Sequence, residues 1–153
     1  MAELKHYTES IYYEMELTAK VMKLVAAQFF SKAELGLIPD EYITLDFIAC
    51  NSGICQRDLA KLILKDRANT GRLVSSLEEK GFVSRNADTK NNRLIKKLSL
   101  TEAGAKKLSQ ITKNVKQKLE ETSKIVSQDE INKLKNGLRT FRTSLEKLID
   151  LKI

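Results

Sequence analysis

Apolar residues recur at the three- and four-residue spacing of an α-helix along most of this 153-residue sequence, except between residues 82 and 100. There, two short runs with strand character, 82–85 and 94–100, flank a polar stretch, 88–93, which predicts a β-hairpin with a polar loop. A single proline and six glycines fit a helix-rich chain. The predicted order is therefore four helices, a hairpin and two further helices.

Capping residues and glycines predict where these helices begin and end. The first long helix covers residues 5–31, and a short third helix covers about 56–64. Side-chain caps and left-handed stops mark the other boundaries. These are Gly36 as a stop, Pro39 as a first helical residue, Asp66 as an N-cap, Gly81 as a stop, Thr101 as a cap, and Ser127 with Glu130 as a capping box.

Charge is distributed unevenly along the chain. Residues 1–54 have a net charge of −4, residues 55–101 of +6 and residues 102–153 of +5. An acidic first third beside a basic middle indicates a localised positive field that suits a polyanion, while solvated lysines on helix faces are the alternative.

Two short helices joined by a tight turn predict a helix-turn-helix whose second helix lies between Asp66 and Gly81. In a major groove, asparagine pairs with adenine and arginine with guanine, and an arginine on a hairpin can enter the minor groove. Small residues at Ala68 and Gly71 predict close approach to the bases. The predicted DNA contacts are Gln56, Arg57, Lys65, Arg67, Ala68, Asn69, Thr70, Arg72, Lys90 and Arg93.

The first and last helices carry apolar stripes too long for one small head to cover. Such stripes indicate a partner, and a second copy of the chain is the simplest one. The last helix has the narrow seam of a coiled coil. The predicted dimer contacts are Ile11, Met15, Ile131, Leu134, Leu138, Phe141, Leu145 and Leu148.

Residues 54–61 and 66–85, the run Asn91-Asn92-Arg93 and the segment 100–104 together resemble the MarR family of winged-helix regulators. The resemblance implies a mainly α fold with a small β-hairpin wing: a winged helix-turn-helix at residues 36–101, and a helical dimerisation region at 1–35 and 102–153. It also implies an obligate homodimer, a palindromic operator and, in many members, an unidentified small-molecule effector that weakens DNA binding. Repression is the mode that it favours.

Three positions depart from the family pattern. Asn91 replaces the usual acid of the wing, which weakens the brace for Arg93 to a hydrogen bond. Cys55 stands where a Thr or Ser helix cap is common, and cysteine caps poorly. Ile38 replaces the usual Thr before Pro39.

Cys50 and Cys55 allow two interpretations. In one, a thiol at a helix N-terminus near Arg57 acts as a redox switch that relieves repression. In the other, Cys50 is a small core residue and Cys55 an inert cap substitute.

The sequence offers nothing from which to build an enzyme site. We find no His/Cys/carboxylate cluster with metal-ligand spacing and no Gly-rich phosphate loop, so no catalytic residue, metal or cofactor is predicted. No signal peptide or membrane span is visible, which predicts a reduced, cytoplasmic protein. A DNA-binding regulator is the predicted function, and an adaptor that binds protein or structured RNA is the alternative.

Overall fold

The computed structural model describes residues 5–90 and 93–148. These residues form a helical chain with one small sheet. The helices are α1 (Ile11–Lys32), α2 (Pro39–Cys50), α3 (Gln56–Leu62), α4 (Arg67–Glu79), α5 (Glu102–Ser123) and α6 (Gln128–Glu146). The strands are β1 (Ile54–Cys55), β2 (Val83–Lys90) and β3 (Arg93–Leu100).

Contacts along the chain define two compact units, Met1–Tyr42 and Ile43–Ile153. In the first, Phe30 and Leu35 are buried, and the Phe30 ring lies 5.7 Å from that of Tyr42. In the second, apolar side chains from several helices and from β3 are fully buried. These are Leu45, Ile48, Leu59, Val74, Leu77, Leu98 and Ile111.

The first helix begins later than the sequence predicts. The Ser10 hydroxyl accepts a hydrogen bond from the Tyr13 amide at 3.2 Å, and this cap starts the regular helix at Ile11. Residues Tyr7–Glu9 form a separate 3-10 turn. The predicted helix over residues 5–31 is therefore wrong for its first turn.

The start of α2 replaces the missing threonine cap with a carboxylate. Pro39 occupies the first helical position, as predicted. Glu41 lies at the third position, and its Oε2 accepts from the Ile38 amide at 3.0 Å. This is one half of a capping box, and it needs no side-chain oxygen at residue 38.

Three helices end with the same hydrogen-bonded turn, in which one residue past the C-cap adopts a left-handed conformation. That residue is Gly81 after α4, as predicted, but it is Glu34 after α1 and Leu64 after α3. Gly36 has a positive φ as well, yet it lies two residues after Glu34. The stop predicted at Gly36 is therefore wrong for α1. The closing hydrogen bonds run from the amides of Leu35, Lys65 and Phe82 to the carbonyls of Phe30, Ala60 and Leu77.

The sheet has three antiparallel strands in the order β1-β3-β2. The sequence predicts β2 and β3 but misses β1, whose Ile54 and Cys55 lie opposite Leu98 and Lys97. A two-residue strand has no periodicity to detect. It matters nonetheless, because it fixes the residue before α3 onto the hairpin.

The paired strands extend further than predicted. Residues 88–90 and 93 belong to the strands rather than to a loop. Asp88 lies opposite Ile95, and its carboxylate is 2.5 Å from the Lys97 ammonium diagonally across the ladder. A polar side chain that sequence reading assigns to a loop is here a cross-strand partner.

The last two helices begin as predicted. Thr101 caps α5, since its Oγ1 accepts from the Gly104 amide at 3.0 Å. Ser127 and Glu130 form the capping box of α6. Leu148 lies two residues beyond the end of α6, so it continues the apolar seam outside the helix.

Candidate nucleic-acid interface

The start of α4 is fixed by Asp66. Its Oδ1 accepts from the Asn69 amide at 2.7 Å, and its Oδ2 accepts from the Asn69 side-chain amide. The backbone hydrogen bond from Asn69, followed by the side-chain one, lowers the pKa of the Asp66 carboxyl. Asn69 therefore serves here as a capping partner, and one N–H and the carbonyl oxygen of its side-chain amide remain for a base.

The outer face of α4 is exposed and cationic, whereas its inner face is buried. Arg67 and Arg72 are exposed and lie one turn or more apart, while Val74 and Leu77 are fully buried. Ala68 is exposed between the arginines and leaves the surface around it open. This is the division that a base-reading helix requires.

Thr70 does not belong to that exposed face. Its side chain is fully buried, and its hydroxyl donates to the Asp66 carbonyl at 2.8 Å. The predicted side-chain contact of Thr70 with DNA is therefore corrected: this residue supports the first turn of α4 from within.

The residues predicted on α3 and in the turn surround the start of α4. Gln56 is half-buried, and its Nε2 donates to the Arg67 carbonyl at 3.4 Å. Arg57 is exposed, with its Nε 3.7 Å from the Asp58 carboxylate. Lys65 is half-buried in the turn between the helices. The structure thus brings Gln56 against α4 and leaves Arg57 on the outer surface.

An arginine on the first hairpin strand connects the wing to α4. The Arg85 Nη2 donates to the Ser75 hydroxyl at 2.9 Å, and its Nε lies 3.3 Å from Oε2 of Glu78. The side chain is about one-fifth exposed, so this ion pair is partly shielded from solvent. The sequence did not predict this contact, although Ser75 and Glu78 are spaced to share one helix face.

The wing supports its distal half with an ion pair. The hydrogen bond from Lys97 is the main cause of a lowered pKa of the Asp88 carboxyl, and the Thr89 amide adds to it. Lys90 and Arg93 lie opposite each other at the ends of β2 and β3. Their side chains fall outside the described part of the chain, as do Asn91 and Asn92, so the Arg93 contact and the Asn91 brace stay predictions.

The base of the wing is held against α5 by a close backbone approach. The Thr101 hydroxyl donates to the Gly81 carbonyl at 2.6 Å, and the Thr101 amide to the Phe82 carbonyl at 3.1 Å. A Cβ on Gly104 would overlap the Phe82 carbonyl oxygen and lie 2.9 Å from its carbon. Only glycine fits there, which gives a steric reason for glycine at the end of the segment 100–104.

The two cysteines occupy different surroundings. Cys50 is exposed at the end of α2, so the prediction of a small core residue is wrong. Cys55 is the N-cap of α3 without a side-chain capping bond, and its Sγ lies 3.1 Å from the Asp58 carboxylate. The thiol proton makes that contact, since a thiolate would face another anion. Both cysteines are free thiols.

An open groove of about 980 Å³ lies between the start of α3 and the wing. Its walls include Arg57, Lys96 and Lys97, with Asp58 and Asp88 among them. Among the described residues we find no group of three or more His, Cys, Asp or Glu side chains that could hold a metal ion. Nor does any described helix have the length and apolar character to cross a membrane.

The predicted dimer residues leave much apolar surface exposed. On α1, Ile11 is exposed and Met15 is half-buried. On α6 the exposed fractions are 63% for Leu134 and 41% for Leu138. The remaining seam residues are Ile131, Phe141 and Leu145, which are half-buried, and Leu148, which is exposed. Within one chain these side chains lack full cover.

Comparison with known proteins identifies the architecture. Residues 39–95, from the start of α2 to the returning strand, match the model of the MarR family. This segment of the chain is therefore similar to the MarR family. Regulators of this family are DNA-binding transcription factors rather than enzymes.

Individual relatives agree with this assignment. The chain is 40% identical over 73 residues to an uncharacterized HTH-type transcriptional regulator, YybA, of Bacillus subtilis (strain 168), a match that covers 48% of each protein. It thus spans about half the length of this curated relative.

Solved structures of MarR-type proteins share the fold over nearly the whole chain. The transcriptional regulator SlyA is 28% identical with a TM-score of 0.75, covering 90% of this chain and 95% of its own. The transcriptional repressor CouR, solved with a 23-mer DNA duplex, is 20% identical with a TM-score of 0.80, covering 93% and 99%. These matches confirm the predicted winged-helix fold with terminal helices.

Proposed function

We propose that this chain is a DNA-binding transcriptional regulator that recognises a duplex operator through α4 and the wing. The observation that carries the proposal is the exposed cationic edge of α4, with Arg67 and Arg72 on a helix whose start is capped and whose inner face is fully buried. A rigid helix with exposed arginines at its N-terminal half suits bidentate recognition of guanine in the major groove.

The wing supports the same proposal. Arg85 ties β2 to α4 and thereby fixes the start of the hairpin against the recognition helix. Lys90 and Arg93 end the paired strands, where a cation can reach a narrow minor groove. CouR, which has the same fold, was solved bound to a DNA duplex, and this supports duplex DNA as the partner.

We propose that the functional unit is a homodimer that binds a palindromic site. The exposed apolar residues of α1 and α6 call for a partner surface, and a twofold axis would place two α4 helices on successive half-sites. In this assignment residues 1–35 and 102–153 form the dimerisation region and residues 36–101 the DNA-binding domain. The dimer would act on the chromosome, in the cytoplasm.

Two aspects of regulation are proposed: the direction of control and the signal that changes it. Repression is the mode that the family resemblance favours, with relief by a small effector or by cysteine oxidation as alternatives. The exposed Cys50 is the better candidate for oxidation, since the Cys55 thiol donates a hydrogen bond to the Asp58 carboxylate. Diamide treatment that leaves operator affinity unchanged in the intact protein would remove the oxidative route.

The experiment is a selection of duplexes from a random library with the full chain, followed by binding assays on the recovered sequence. Arg72→Ala should lower affinity for that duplex by about 1–3 kcal/mol and relax preference at one position of each half-site. Arg139→Ala, an equal loss of charge on the exposed surface of α6, is the control and should keep the preference.

An unchanged preference in Arg72→Ala would contradict the assignment of α4 as the reading helix. Failure to recover any duplex sequence, with tight binding to structured RNA instead, would favour an adaptor and contradict the proposed function.

A further inference from the structure

We infer that Gln56 and Gly71 act as a pair in sequence recognition: the glycine leaves room on α4 for the Gln56 amide, which then contacts a base beside the N-terminus of that helix. The inference rests on the proposed function and assigns specificity to a residue outside α4. The role of Gly71 in this pair differs from the role predicted from the sequence, which is close approach of the helix to DNA.

The first observation is the space beside Gly71. A Cβ at this position would lie 3.1 Å from Nε2 of Gln56 and 3.9 Å from its Cδ. The atoms nearest to this Cβ therefore belong to a residue of α3. The position faces that residue rather than open space in front of the recognition helix. Any larger side chain would push the end of Gln56 away from α4.

The second observation is the hydrogen bond that holds Gln56 there. Its Nε2 donates to the Arg67 carbonyl at 3.4 Å, four residues before Gly71 and therefore on the same side of the helix. A carboxamide has two N–H donors and an oxygen with two lone pairs. One N–H directed at Arg67 orients the amide plane and leaves an N–H and the oxygen for another partner.

The third observation is the neighbourhood. The Gln56 side chain is half-buried and contacts the first turn of α4, beside the exposed Arg67 and Ala68. Glutamine reads adenine with one donor and one acceptor, so an amide held in this place can add a base contact that α4 alone does not supply.

Helix propensity provides an independent reason to assign Gly71 a role. Glycine inside a helix is unfavourable, and Gly71 lies in the middle of α4. Its replacement by alanine should leave the thermal midpoint unchanged or raise it. Gly71 lowers the stability of the helix and faces a polar side chain at the proposed binding surface. Such a residue fits a functional position.

The test is a double-mutant cycle on the full chain. Duplexes are selected from a random library with the unmodified chain, with Gln56→Ala, with Gly71→Val and with the double variant. Affinities are then measured on the recovered duplex, on all its single-base substitutions and on random-sequence duplex.

We expect each single change to remove the preference at the same position of each half-site. The loss on the recovered duplex should be about tenfold, while affinity for random-sequence duplex is kept. Because both changes displace the same amide, the double variant should lose no more than either single one.

Gly71→Ala and Gly137→Val complete the design. The first moves the Gln56 amide by only tenths of an ångström and should give an intermediate loss with no drop in thermal midpoint. The second places a β-branched side chain in another helix, where nothing lies within 4 Å of the added Cβ, and should leave base preference unchanged.

The inference is overturned if Gly71→Val keeps the preference, if it weakens all duplexes equally, or if the two changes add. None of these results touches the proposed function, provided that the unmodified chain still selects a duplex sequence. If it selects none, the proposed function itself has failed, and the pair loses its role with it.

Discussion

The winged-helix region and the terminal helices differ in where their side chains find partners. From α3 to the start of α5, each element is fixed by a contact within the same chain: Asp66 caps α4, Arg85 ties β2 to α4, and Thr101 closes on Gly81. Along α1 and α6, by contrast, apolar side chains such as Met22 and Leu134 are about two-thirds exposed. The supporting contacts of the first region lie within one chain, whereas the second region leaves large apolar side chains exposed.

This difference distinguishes the surface proposed to recognise DNA from the surface proposed to form the dimer. A surface that recognises bases must be held rigidly before it meets them, so its supporting contacts lie within one chain. A dimer contact exists only between chains, so its apolar residues lack cover in each separate chain. The changes below probe the two regions in order of decreasing effect.

The largest effect is expected where backbone meets backbone. Gly104→Ala should destabilise the chain by about 3 kcal/mol, because the added Cβ overlaps the Phe82 carbonyl, which cannot rotate away. Urea unfolding measures the change. Gly137→Ala is the control, since nothing lies within 4 Å of its Cβ, and it should stabilise by up to about 1 kcal/mol.

If Gly104→Ala costs no more than a surface change, then α5 is not packed as closely on the hairpin base as described. The winged-helix region would then be less self-sufficient than the comparison requires.

The next effect concerns assembly. Leu138→Glu on α6 should raise the dissociation constant of the homodimer at least about thirtyfold, because a charge enters the apolar seam at a cost of about 2 kcal/mol or more. Sedimentation over a concentration series measures it. Lys135→Glu, an exposed change of charge on the preceding turn, is the control and should leave the dimer intact.

A dimer that withstands Leu138→Glu would show that the seam of α6 is not part of the dimer contact. The thermal midpoint of the winged-helix region should change little in either variant.

These two regions also differ in how far the sequence predicts them. The caps at Asp66, Thr101 and Ser127 follow from residue type and position, and so does the stop at Gly81, because each acts within a few residues of itself. Strand β1 and the Arg85 contact involve residues distant in sequence, and local periodicity carries no sign of them. The burial of Thr70, by contrast, follows from local spacing, because Thr70 lies four residues before Val74 and seven before Leu77 on the buried face of α4.

Two further differences from the predictions involve residue types that are uncommon in the places they occupy. Glu34 and Leu64 take the left-handed position where glycine is usual, because the closing hydrogen bonds from Leu35 and Lys65 impose the turn. Cys50 is exposed although cysteine is commonly buried.

Leu64 leads to a smaller, stabilising prediction. Leu64→Gly should raise the free energy of unfolding by about 1 kcal/mol, since glycine adopts φ +52° without a Cβ clash and the exposed leucine loses little burial. The reciprocal Gly81→Leu should lose a similar amount, because the backbone alone is strained there. Thermal melts of both variants measure these changes, and a lower thermal midpoint in Leu64→Gly would contradict the prediction.

The smallest effect depends on pH. The folded pKa of Asp66 lies below its ordinary value of 3.8, so its contribution to stability is present above that pH and is lost as pH falls through the folded pKa. Asp66→Ser keeps a capping oxygen that does not titrate. The stability difference between the two proteins should therefore change below about pH 4, and a difference constant from pH 6 to pH 3 would contradict the carboxylate cap.

The most direct test of duplex reading by the winged-helix region is the affinity of the full chain for its selected duplex and for a scrambled one, across 50–300 mM salt. We expect both affinities to fall steeply with salt, as they do when several phosphates are contacted, and the selected duplex to bind about 10³-fold more tightly or better. Salt-independent binding, or equal affinity for the two duplexes, would contradict the account.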